Sequence, residues 1–299
     1  MSVKVCFVIL HYNALEDTIK CVESIQSLVE TSEHNVSIII VDNCSPNGTG
    51  ARIKKRYENV TNVDVLLLEK NIGFARGNNA GFQFANQKYA PDFIILSNND
   101  IVIEQKDFIP QILELHHEYH FAVLGPKIFA PYKGVYQNPL RDKAYTISEI
   151  YSLIKNYEKK IKLFKLLDKL HCYNVLHEIK RLVKKNQGRT TPDSEKRFNV
   201  VLHGSFLIMS KEYINAYPKG LCDKTFMYME EDILYYFCKQ KNLKMMYSPN
   251  ISVIHNEGAS TRNAMKSRAK KSIFEFENTI KSAQVLLEIL QTAGEKEER

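Results

Sequence analysis

Short apolar segments alternate with helical ones along the first hundred residues, and this alternation constrains the fold more than any other feature. Continuous apolar runs rich in β-branched residues predict buried strands at 3–10, 36–41, 63–68 and 93–96. Between them, sequences typical of helices occupy 15–29, 50–57 and about 77–88. Strands and helices in this order join by right-handed crossovers into a parallel sheet. We therefore predict an α/β fold with a Rossmann-like, mostly parallel central sheet flanked by helices.

Three of these strands end in polar clusters. The clusters are His11-Tyr12-Asn13, Asp42-Asn43 and Ser97-Asn98-Asn99-Asp100. A single polar strand end is typical of any loop. The carboxyl ends of parallel strands, however, face one edge of the sheet, where ligands of such folds bind. Three clusters that each carry Asn or Asp therefore predict a binding site at that edge.

A glycine-bearing segment precedes the third predicted helix. Gly73, Gly77 and Gly81 are spaced four residues apart. Such glycines let a backbone approach a ligand closely, and a helix N-terminus just after them favours an anion. The pattern differs from G-x-G-x-x-G and does not directly follow a strand, so by itself it is a weak signal.

Residues 132–200 interrupt the alternation with a basic segment. Between 151 and 200 there are thirteen Lys and Arg residues and five Asp and Glu residues, whereas the whole chain has a net charge of +7. The remaining residues are therefore close to neutral. Apolar positions recur every three or four residues from Ile150 to Leu167 and again over 173–185, which predicts basic amphipathic helices. They form either a side helix or lid with solvated lysines, or a surface that docks on an anionic bilayer through residues 150–187.

Composition limits the class of protein further. A chain with 44% hydrophobic and 25% charged residues is globular rather than disordered or fibrous. No run approaches the roughly 18 to 20 apolar residues of a membrane span, and the apolar run near the N-terminus is too short for a signal peptide. The six cysteines are scattered, which indicates reduced, mostly buried thiols. We expect a cytoplasmic protein whose membrane contact, if any, is peripheral at the inner face.

Late in the chain, carboxylates and a histidine suggest chemistry. Aromatic and methionine-rich runs flank Glu230, Glu231 and Asp232, which indicates partial burial of this segment. Partial burial should raise the pKa of a carboxylate there, and such a carboxylate can act as a general base. Asp100 and His255 follow predicted strands and could share one divalent cation. A histidine at a strand end is more often a structural hydrogen-bonding group than a ligand. Strands are also predicted at 203–209, 243–247 and 252–255, and a helix over 273–290 with a charged tail from Gly294.

Together these motifs resemble the family 2 glycosyltransferases, the inverting enzymes of GT-A fold, and within them the rhamnosyltransferase-like branch of capsule, O-antigen and cell-wall polysaccharide assembly. The matching segments, in the family's order and spanning 3–262 apart from the insert, are FVILHYN, IIIVDNCSPNGT, EKNIGFARGNNAGF, ILSNNDIVI, HGSFLIMSKE, FMYMEEDILYY and SPNISVIHNEGAST. One such segment alone would be weak, but the ordered set is specific.

The resemblance implies roles for individual residues on the nucleotide side. Asp42 would hydrogen-bond the nucleotide base in a pocket that His11, Tyr12 and Asn13 also line. The remaining positions implied to bind the nucleotide-sugar are Asn43, Gly73, Arg76, Asn78, Asn79, Asn98 and Asn99.

The resemblance also implies a metal and a base. Asp100 stands at the last position of the family's D-x-D motif and, with His255, would bind Mn²⁺ or Mg²⁺; Asn98 replaces the first carboxylate of that motif. A carboxylate of the Glu-Glu-Asp segment would deprotonate the acceptor hydroxyl for a single displacement with inversion. The register with Tyr228 and Leu234 favours Glu231, with Asp232 as the alternative.

The predicted organisation is a nucleotide-sugar-binding half (1–131), the basic helical insert (132–200), an acceptor and catalytic half (201–262), and a C-terminal helix and tail (263–299). The expected partners are a nucleotide-sugar donor and a glycan or lipid-linked acceptor, and no nucleic acid. Two other classes are considered. A nucleotidyltransferase of sugar metabolism would release pyrophosphate instead of nucleoside diphosphate, and a non-catalytic membrane or nucleic-acid binding module would use only the basic insert.

Overall fold

The computed structural model describes residues 2–29, 33–170, 189–257 and 268–297. Ten strands in this part of the chain are β1 Lys4–His11, β2 Asn35–Asp42, β3 Val63–Leu67, β4 Phe93–Asn98, β5 Ile101–Val102, β6 Val123–Ala130, β7 Val135–Tyr136, β8 Arg197–Phe198, β9 Phe206–Ser210 and β10 Met245–His255. Its helices are α1 Leu15–Val29, α2 Thr49–Tyr57, α3 Phe74–Tyr89, α4 Phe108–Tyr119, α5 Ile147–Lys169, α6 Lys211–Ala216, α7 Glu230–Gln240 and α8 Arg268–Glu297.

All ten strands belong to one sheet. Its order is β3-β2-β1-β4-β9-β6-β10-β5, with β7 paired to β6 and β8 paired to β10. The strands β3, β2, β1 and β4 run parallel, and β9 lies antiparallel between β4 and β6. β6 and β10 are again parallel to each other. The predicted α/β fold with a mostly parallel sheet is therefore confirmed.

The sheet is buried on both faces, which explains why its strands are continuous apolar runs. On one face Val5, Phe7 and Ile9 pack against α1, α2 and α4. On the other, Cys6 and Val8 pack against α3, α6 and α7. Of the cysteines in the described ranges, all five are free thiols, as the sequence indicated.

Several element boundaries differ from the predicted ones, and three of the differences change how an element is described. Helix α3 begins at Phe74, three residues before its predicted start, so Gly73 directly precedes the helix and Gly77 and Gly81 lie within it. The two late strands predicted at 243–247 and 252–255 form one strand, β10, whose pairing with β6 shifts register between Ser248 and Ser252. The C-terminal helix continues past Gly294 to Glu297.

Helix α5 represents the basic insert, and its apolar stripe packs against α8. The rings of Tyr157 and Phe164 lie 4.6 and 5.6 Å from that of Phe276 on α8, and Lys165 forms an ion pair with Glu277. Thr146 and Glu149 cap the start of α5 reciprocally, a capping box. The second predicted insert helix, over 173–185, lies outside the described residues. Within the described ranges, no helix is long and apolar enough to cross a membrane.

Candidate active site

Parallel pairing brings the polar strand ends of β1, β2 and β4 side by side. His11 is in register with Asp42, and Leu10 with Asn98. The His11 ring is fully buried, with Nδ1 2.7 Å from the hydroxyl of Thr18 and Nε2 2.9 Å from the hydroxyl of Thr49. Burial lowers the pKa of His11 to about 4, although the Asp42 charge opposes this shift. At neutral pH His11 is therefore an uncharged part of a hydrogen-bond network.

Asp42 orders the loop that follows β2. Its carboxylate accepts hydrogen bonds from the hydroxyl of Ser45 at 2.5 Å and from the Ser45 amide at 3.2 Å. The Ser45 hydroxyl oxygen also accepts from the Asn13 amide at 2.9 Å, which joins the ends of β1 and β2. Asn13 Oδ1 is buried without a hydrogen-bond partner, so an acceptor is available at this edge.

Asn43 holds the segment before α3 in place. Its side chain accepts from the amide of Ile72 at 3.0 Å and donates to the carbonyl of Gly73 at 3.1 Å. Gly73 has φ of 88°, and a Cβ there would lie 2.3 Å from the carbonyl oxygen of Phe226. The Phe74 amide donates to that same carbonyl at 2.7 Å. Only glycine fits here, where the start of α3 meets the chain leading to the acidic segment.

Gly77 and Gly81 serve helix packing instead of ligand approach. A Cβ on Gly77 would lie 2.6 Å from Leu10, and one on Gly81 would lie 2.4 Å from Val8. Both glycines therefore let α3 pack closely against β1. The sequence indicated ligand approach for these glycines, but both lie on the face of α3 that packs on the sheet.

The polar residues of α3 contact protein groups. Asn79 donates to the carbonyl of Leu221 and accepts from its amide, both at 2.7 Å. Arg76 Nε donates to the carbonyl of Asp223 at 2.7 Å, and Asn78 donates to the carbonyl of Phe74 within the helix at 3.0 Å. Asn79 and Arg76 thus fasten α3 to residues 221–223, and both polar groups of Asn79 are engaged in this contact.

At the end of β4, Asn98 and Asn99 also join elements. The backbone N–H of Asn98 donates to the carbonyl of Ser205 at 2.8 Å. Asn99 Nδ2 lies 2.9 Å from the hydroxyl of Thr18, the same hydroxyl that bonds His11. The network of His11 therefore extends to the residue directly before Asp100.

Asp100 and His255 meet at the edge of this network, as the sequence predicted. Pairing between β5 and β10 places His255 opposite Ile101, and its Nε2 lies 3.1 Å from Asp100 Oδ1. Both side chains are buried, yet Asp100 Oδ1 has no hydrogen-bond partner. His255 Nδ1 lies 2.7 Å from Gln137 Oε1, and the ring of His203 stands edge-on to His255 at 5.9 Å.

This donor set fits a hard or borderline divalent cation that takes its remaining ligands from elsewhere. A carboxylate oxygen and an imidazole nitrogen face each other, and the oxygen lacks a hydrogen-bond donor. Within the described ranges there is no group of three or more His, Cys, Asp and Glu side chains able to hold a metal. A cation held by this pair would need further ligands, such as oxygens of water or of a bound ligand.

The acidic segment begins α7 in three different environments. Tyr228 and Met229, with φ of 72° and 66°, form a left-handed turn into the helix. Glu230 turns inward and accepts from the Thr225 hydroxyl at 2.9 Å; burial and the neighbouring Glu231 charge raise its pKa to about 8. Asp232 is buried against Arg141 Nη2 at 2.5 Å and the Tyr145 amide at 3.2 Å.

Glu231 lies between these two and is partly exposed. Its Oε1 accepts from the Gly204 amide at 3.2 Å. Burial, followed by the Asp232 charge, raises the pKa of Glu231 above its ordinary value. A carboxylate that is partly exposed, anchored by one oxygen and raised in pKa has the properties of a general base.

The family is decided by the sequence match. The family model described as "Glycosyl transferase family 2" matches residues 6–178, more than half of the chain. The chain belongs to glycosyltransferase family 2. It is therefore a glycosyltransferase of mixed α/β architecture. No curated protein sequence matches it significantly.

Solved structures similar to this family 2 glycosyltransferase share its fold. TarS 1-349 from S. aureus has 16% identity and a TM-score of 0.51, covering 92% of this chain and 71% of that one. Its complex with UDP-GlcNAc has 15% identity and a TM-score of 0.51, covering 91% of this chain and 64% of that one. The mannosyltransferase PcManGT from Pyrobaculum calidifontis, in complex with GDP-Man and Mn²⁺, has 9% identity and a TM-score of 0.52, covering 99% and 80%. The predicted GT-A fold is thereby confirmed.

Sequence reasoning did not single out Gln137, Arg141 or His203 in this glycosyltransferase. Gln137 contacts His255 across 118 residues of sequence, and Arg141 pairs with Asp232 across 91. No local pattern indicates either contact. His203 belongs to the H-G-S-F segment that carries the family resemblance, so that segment was a usable signal.

Proposed function

We propose that this glycosyltransferase moves a sugar, with inversion, from a nucleoside-diphosphate sugar to a hydroxyl of a glycan or lipid-linked acceptor in surface-polysaccharide synthesis. The observation that carries the proposal is the buried Asp100–His255 pair, whose carboxylate oxygen lacks a hydrogen-bond donor, at the edge of the polar strand ends. A nucleoside diphosphate would complete such a site. The family assignment supports the reaction class.

The donor would bind along the ends of β1, β2 and β4, which we term the donor side. We assign Asp42, Tyr12 and Asn13 to the nucleotide base, because Asn13 Oδ1 is an unsatisfied acceptor there. Arg76, exposed at the start of α3, is assigned to the diphosphate, because the bond to the Asp223 carbonyl that fastens α3 to residues 221–223 uses only its Nε. The other positions, assigned to shaping the pocket, are His11, Asn43, Gly73, Asn78, Asn79, Asn98 and Asn99. That two similar structures are complexes with UDP-GlcNAc and GDP-Man supports a nucleotide-sugar ligand.

We assign Asp100 and His255 as the ligands of Mn²⁺ or Mg²⁺. When bound, such a cation neutralises the negative charge that develops on the departing diphosphate. The Asn98–Asn99 stretch positions Asp100 through the bonds of Asn99 to the α1 segment. The Mn²⁺ complex of the Pyrobaculum mannosyltransferase supports the use of a divalent cation.

Glu231 is the base that we propose, at the start of α7, which we term the catalytic side. One of its oxygens is held by the Gly204 amide, while the partly exposed carboxylate is open to an acceptor hydroxyl. Asp232 is the weaker candidate because Arg141 and the Tyr145 amide occupy both of its oxygens. The acceptor hydroxyl would give its proton to Glu231 as its oxygen attacks the anomeric carbon, and the nucleoside diphosphate would leave from the opposite face.

The outward face of α5 suggests where the acceptor lies. Leu163 and Leu166 are 45% and 54% exposed, whereas the opposite stripe of the helix packs on α8. Exposed Lys159 and Lys162 adjoin these leucines. Leucines beside lysines suit an anionic bilayer surface. We propose that α5 contacts the inner face of the cell membrane, close to a lipid-linked acceptor. In this proposal residues 1–131 form the donor half of the enzyme and residues 201–262 form its catalytic half.

A thermal-shift and hydrolysis screen against nucleotide-sugars tests the function. One donor should raise the melting temperature with Mn²⁺ and much less without it, and slow hydrolysis should release nucleoside diphosphate. Release of pyrophosphate would indicate a nucleotidyltransferase instead. Stabilisation by no nucleotide-sugar, with or without metal, would contradict the proposal.

Sedimentation with vesicles tests the membrane contact separately. Full-length protein should cosediment with vesicles containing phosphatidylglycerol, but not with pure phosphatidylcholine. The K159Q/K162Q/L163Q/L166Q variant should lose this binding while hydrolysing the donor at the wild-type rate. Unchanged cosedimentation of the variant would refute the assignment of this face.

A further inference from the structure

We propose that Gln137 is a positioning residue that fixes the tautomer of His255, with the proton on Nδ1 and the lone pair of Nε2 directed at the site beside Asp100. This inference rests on the proposed role of Asp100 and His255 in cation binding. It adds a residue from the insert region, 132–200, to the machinery of the site.

A chain of polar contacts leads from the site to the surface. Asp100 Oδ1 lies 3.1 Å from His255 Nε2, and His255 Nδ1 lies 2.7 Å from Gln137 Oε1. The Gln137 amide nitrogen donates to Glu257 Oε1, and Glu257 Oε2 contacts the Lys133 ammonium. Each side chain after Asp100 in this series therefore has a polar partner on the side that faces away from Asp100.

The chemistry of these groups sets the direction of each hydrogen bond. An ionised carboxylate only accepts, so the NH₂ group of Gln137 must face Glu257. The carbonyl oxygen of Gln137 then faces His255 and can only accept, so His255 Nδ1 must carry a proton. In the neutral imidazole, Nε2 is consequently the unprotonated nitrogen.

The backbone holds Gln137 rigidly for this task. The preceding strand β7 pairs with β6, and the backbone N–H of Gln137 donates to the carbonyl of Ile128 at 3.0 Å. Its side chain reaches His255 on β10, the strand that pairs with β6. A fixed backbone and two directional bonds leave the amide one arrangement.

The opposite tautomer would oppose cation binding. With its proton on Nε2, His255 would present an N–H group to the site, 3.1 Å from Asp100 Oδ1, and its nitrogen would have no lone pair for a cation. A cation would then have to displace that proton. By excluding this tautomer, Gln137 keeps a nitrogen lone pair and a carboxylate oxygen available together. Such supporting contacts are commonly worth 10- to 100-fold in metal affinity.

The tautomer can be read directly by ¹⁵N NMR of the histidine rings in metal-free protein at mildly alkaline pH. Wild-type His255 should show a protonated Nδ1 and an unprotonated Nε2. Gln137→Met, which lacks the acceptor at similar length, should shift His255 toward the Nε2-protonated form. A protonated Nε2 in the wild-type spectrum would overturn the inference without any variant.

Mn²⁺ binding, followed by electron paramagnetic resonance with a nucleoside diphosphate present, measures the consequence. Gln137→Met should bind Mn²⁺ about 10- to 100-fold more weakly than wild type. Gln111→Met, on the exposed side of α4, is the matched control and should bind like wild type. The double variant Gln137→Glu/Glu257→Gln keeps an acceptor facing Nδ1, and it should recover most of the affinity.

These readouts separate the inference from the proposed function. If wild type binds no Mn²⁺ with nucleoside diphosphate, the proposed metal site fails, while the tautomer measurement still decides the role of Gln137. If wild type binds Mn²⁺ and Gln137→Met binds it equally well with an unchanged tautomer, Gln137 has no positioning role.

Discussion

On the donor side, polar side chains at the ends of β1, β2 and β4 are hydrogen-bonded to neighbouring loops and helices, whereas on the catalytic side three adjacent carboxylates begin one helix. His11 is buried with both ring nitrogens near hydroxyls, and its pKa falls to about 4. Glu230 is buried beside Glu231, and its pKa rises to about 8. Burial removes charge from both residues at neutral pH, but through opposite shifts.

The difference separates shape from reactivity. Most bonds of the donor side are made before any ligand binds, so a nucleotide would enter a pocket that is already ordered. The catalytic side places three carboxyl groups in a row, and these differ in partners: a hydroxyl for Glu230, one backbone amide for Glu231, and a guanidinium for Asp232. Neighbours in sequence can therefore carry distinct roles.

The largest expected effect is on Glu231. Glu231→Gln should lower the rate of sugar transfer about 10²- to 10⁴-fold, because the amide cannot accept the acceptor proton. Donor affinity, measured by calorimetry, should stay within a few-fold of wild type because the donor side is untouched. If Glu231→Gln transferred sugar normally, the division between the two sides would be wrong at its main point.

We expect Asp232 to contribute mainly to the stability of the folded protein. Asp232→Asn leaves Arg141 partly buried without its counter-charge, and we expect a loss of about 3 kcal/mol in the free energy of unfolding. Urea denaturation measures this loss, and Glu231→Gln is the matched control with little change expected. A stable Asp232→Asn enzyme without activity would make Asp232 the base.

Glu230 should make stability depend on pH. Its pKa is about 8 in the folded protein against an ordinary value of 4.5, so the unfolded chain releases its proton first. The Glu230 contribution to stability is full below about pH 4.5 and is lost as pH rises toward 8. Glu230→Gln should remove this loss, so its advantage over wild type should grow between those pH values. If the free energies of unfolding of Glu230→Gln and wild type changed in parallel with pH, Glu230 would not be buried and protonated in the folded protein.

The glycines of α3 test whether that helix serves packing or ligand approach. Gly81→Ala would bring a methyl group to within 2.4 Å of Val8, and overpacking of this kind costs about 1–3 kcal/mol. Thermal unfolding should show the loss, while nucleotide affinity per folded molecule should not change. Gln87→Ala, at an exposed position of the same helix, is the control. A Gly81→Ala protein of normal stability that no longer bound nucleotide would restore the ligand-approach interpretation.

The smallest expected effect concerns the His11 ring, which should not titrate near neutral pH. NMR of the His11 ring should show no protonation between pH 5 and 7, since its pKa is lowered to about 4. A midpoint near the ordinary value of 6.5 would place a charge on the donor side and weaken the contrast with the catalytic side.

Local patterns predicted much of this molecule. The apolar runs of β1 and β2 and the helix α1 follow from burial on both faces and from helical spacing. The meeting of Asp100 with His255 was predicted from strand ends and from the family resemblance, and the pair lies together in the structure.

Contacts between distant segments were not predictable in this way. Asn79 bonds Leu221 across 142 residues and Gln137 bonds His255 across 118, and such pairings depend on sheet order, which periodicity does not encode. The packing role of Gly81 was missed because it depends on the close approach of α3 to Val8 and Val41 of the sheet, which the spacing of glycines does not reveal. The environments of Glu231 and Asp232 differ through Gly204 for the first and through Arg141 and Tyr145 for the second, none of which is near them in sequence.

The most direct test of the central claim is the configuration of the sugar released when the protein hydrolyses its donor, followed by ¹H NMR before mutarotation. A single displacement assisted by Glu231 predicts that an α-linked nucleotide-sugar yields the β anomer first, together with nucleoside diphosphate. Release of the α anomer first would contradict the account, because retention requires a different path through the site.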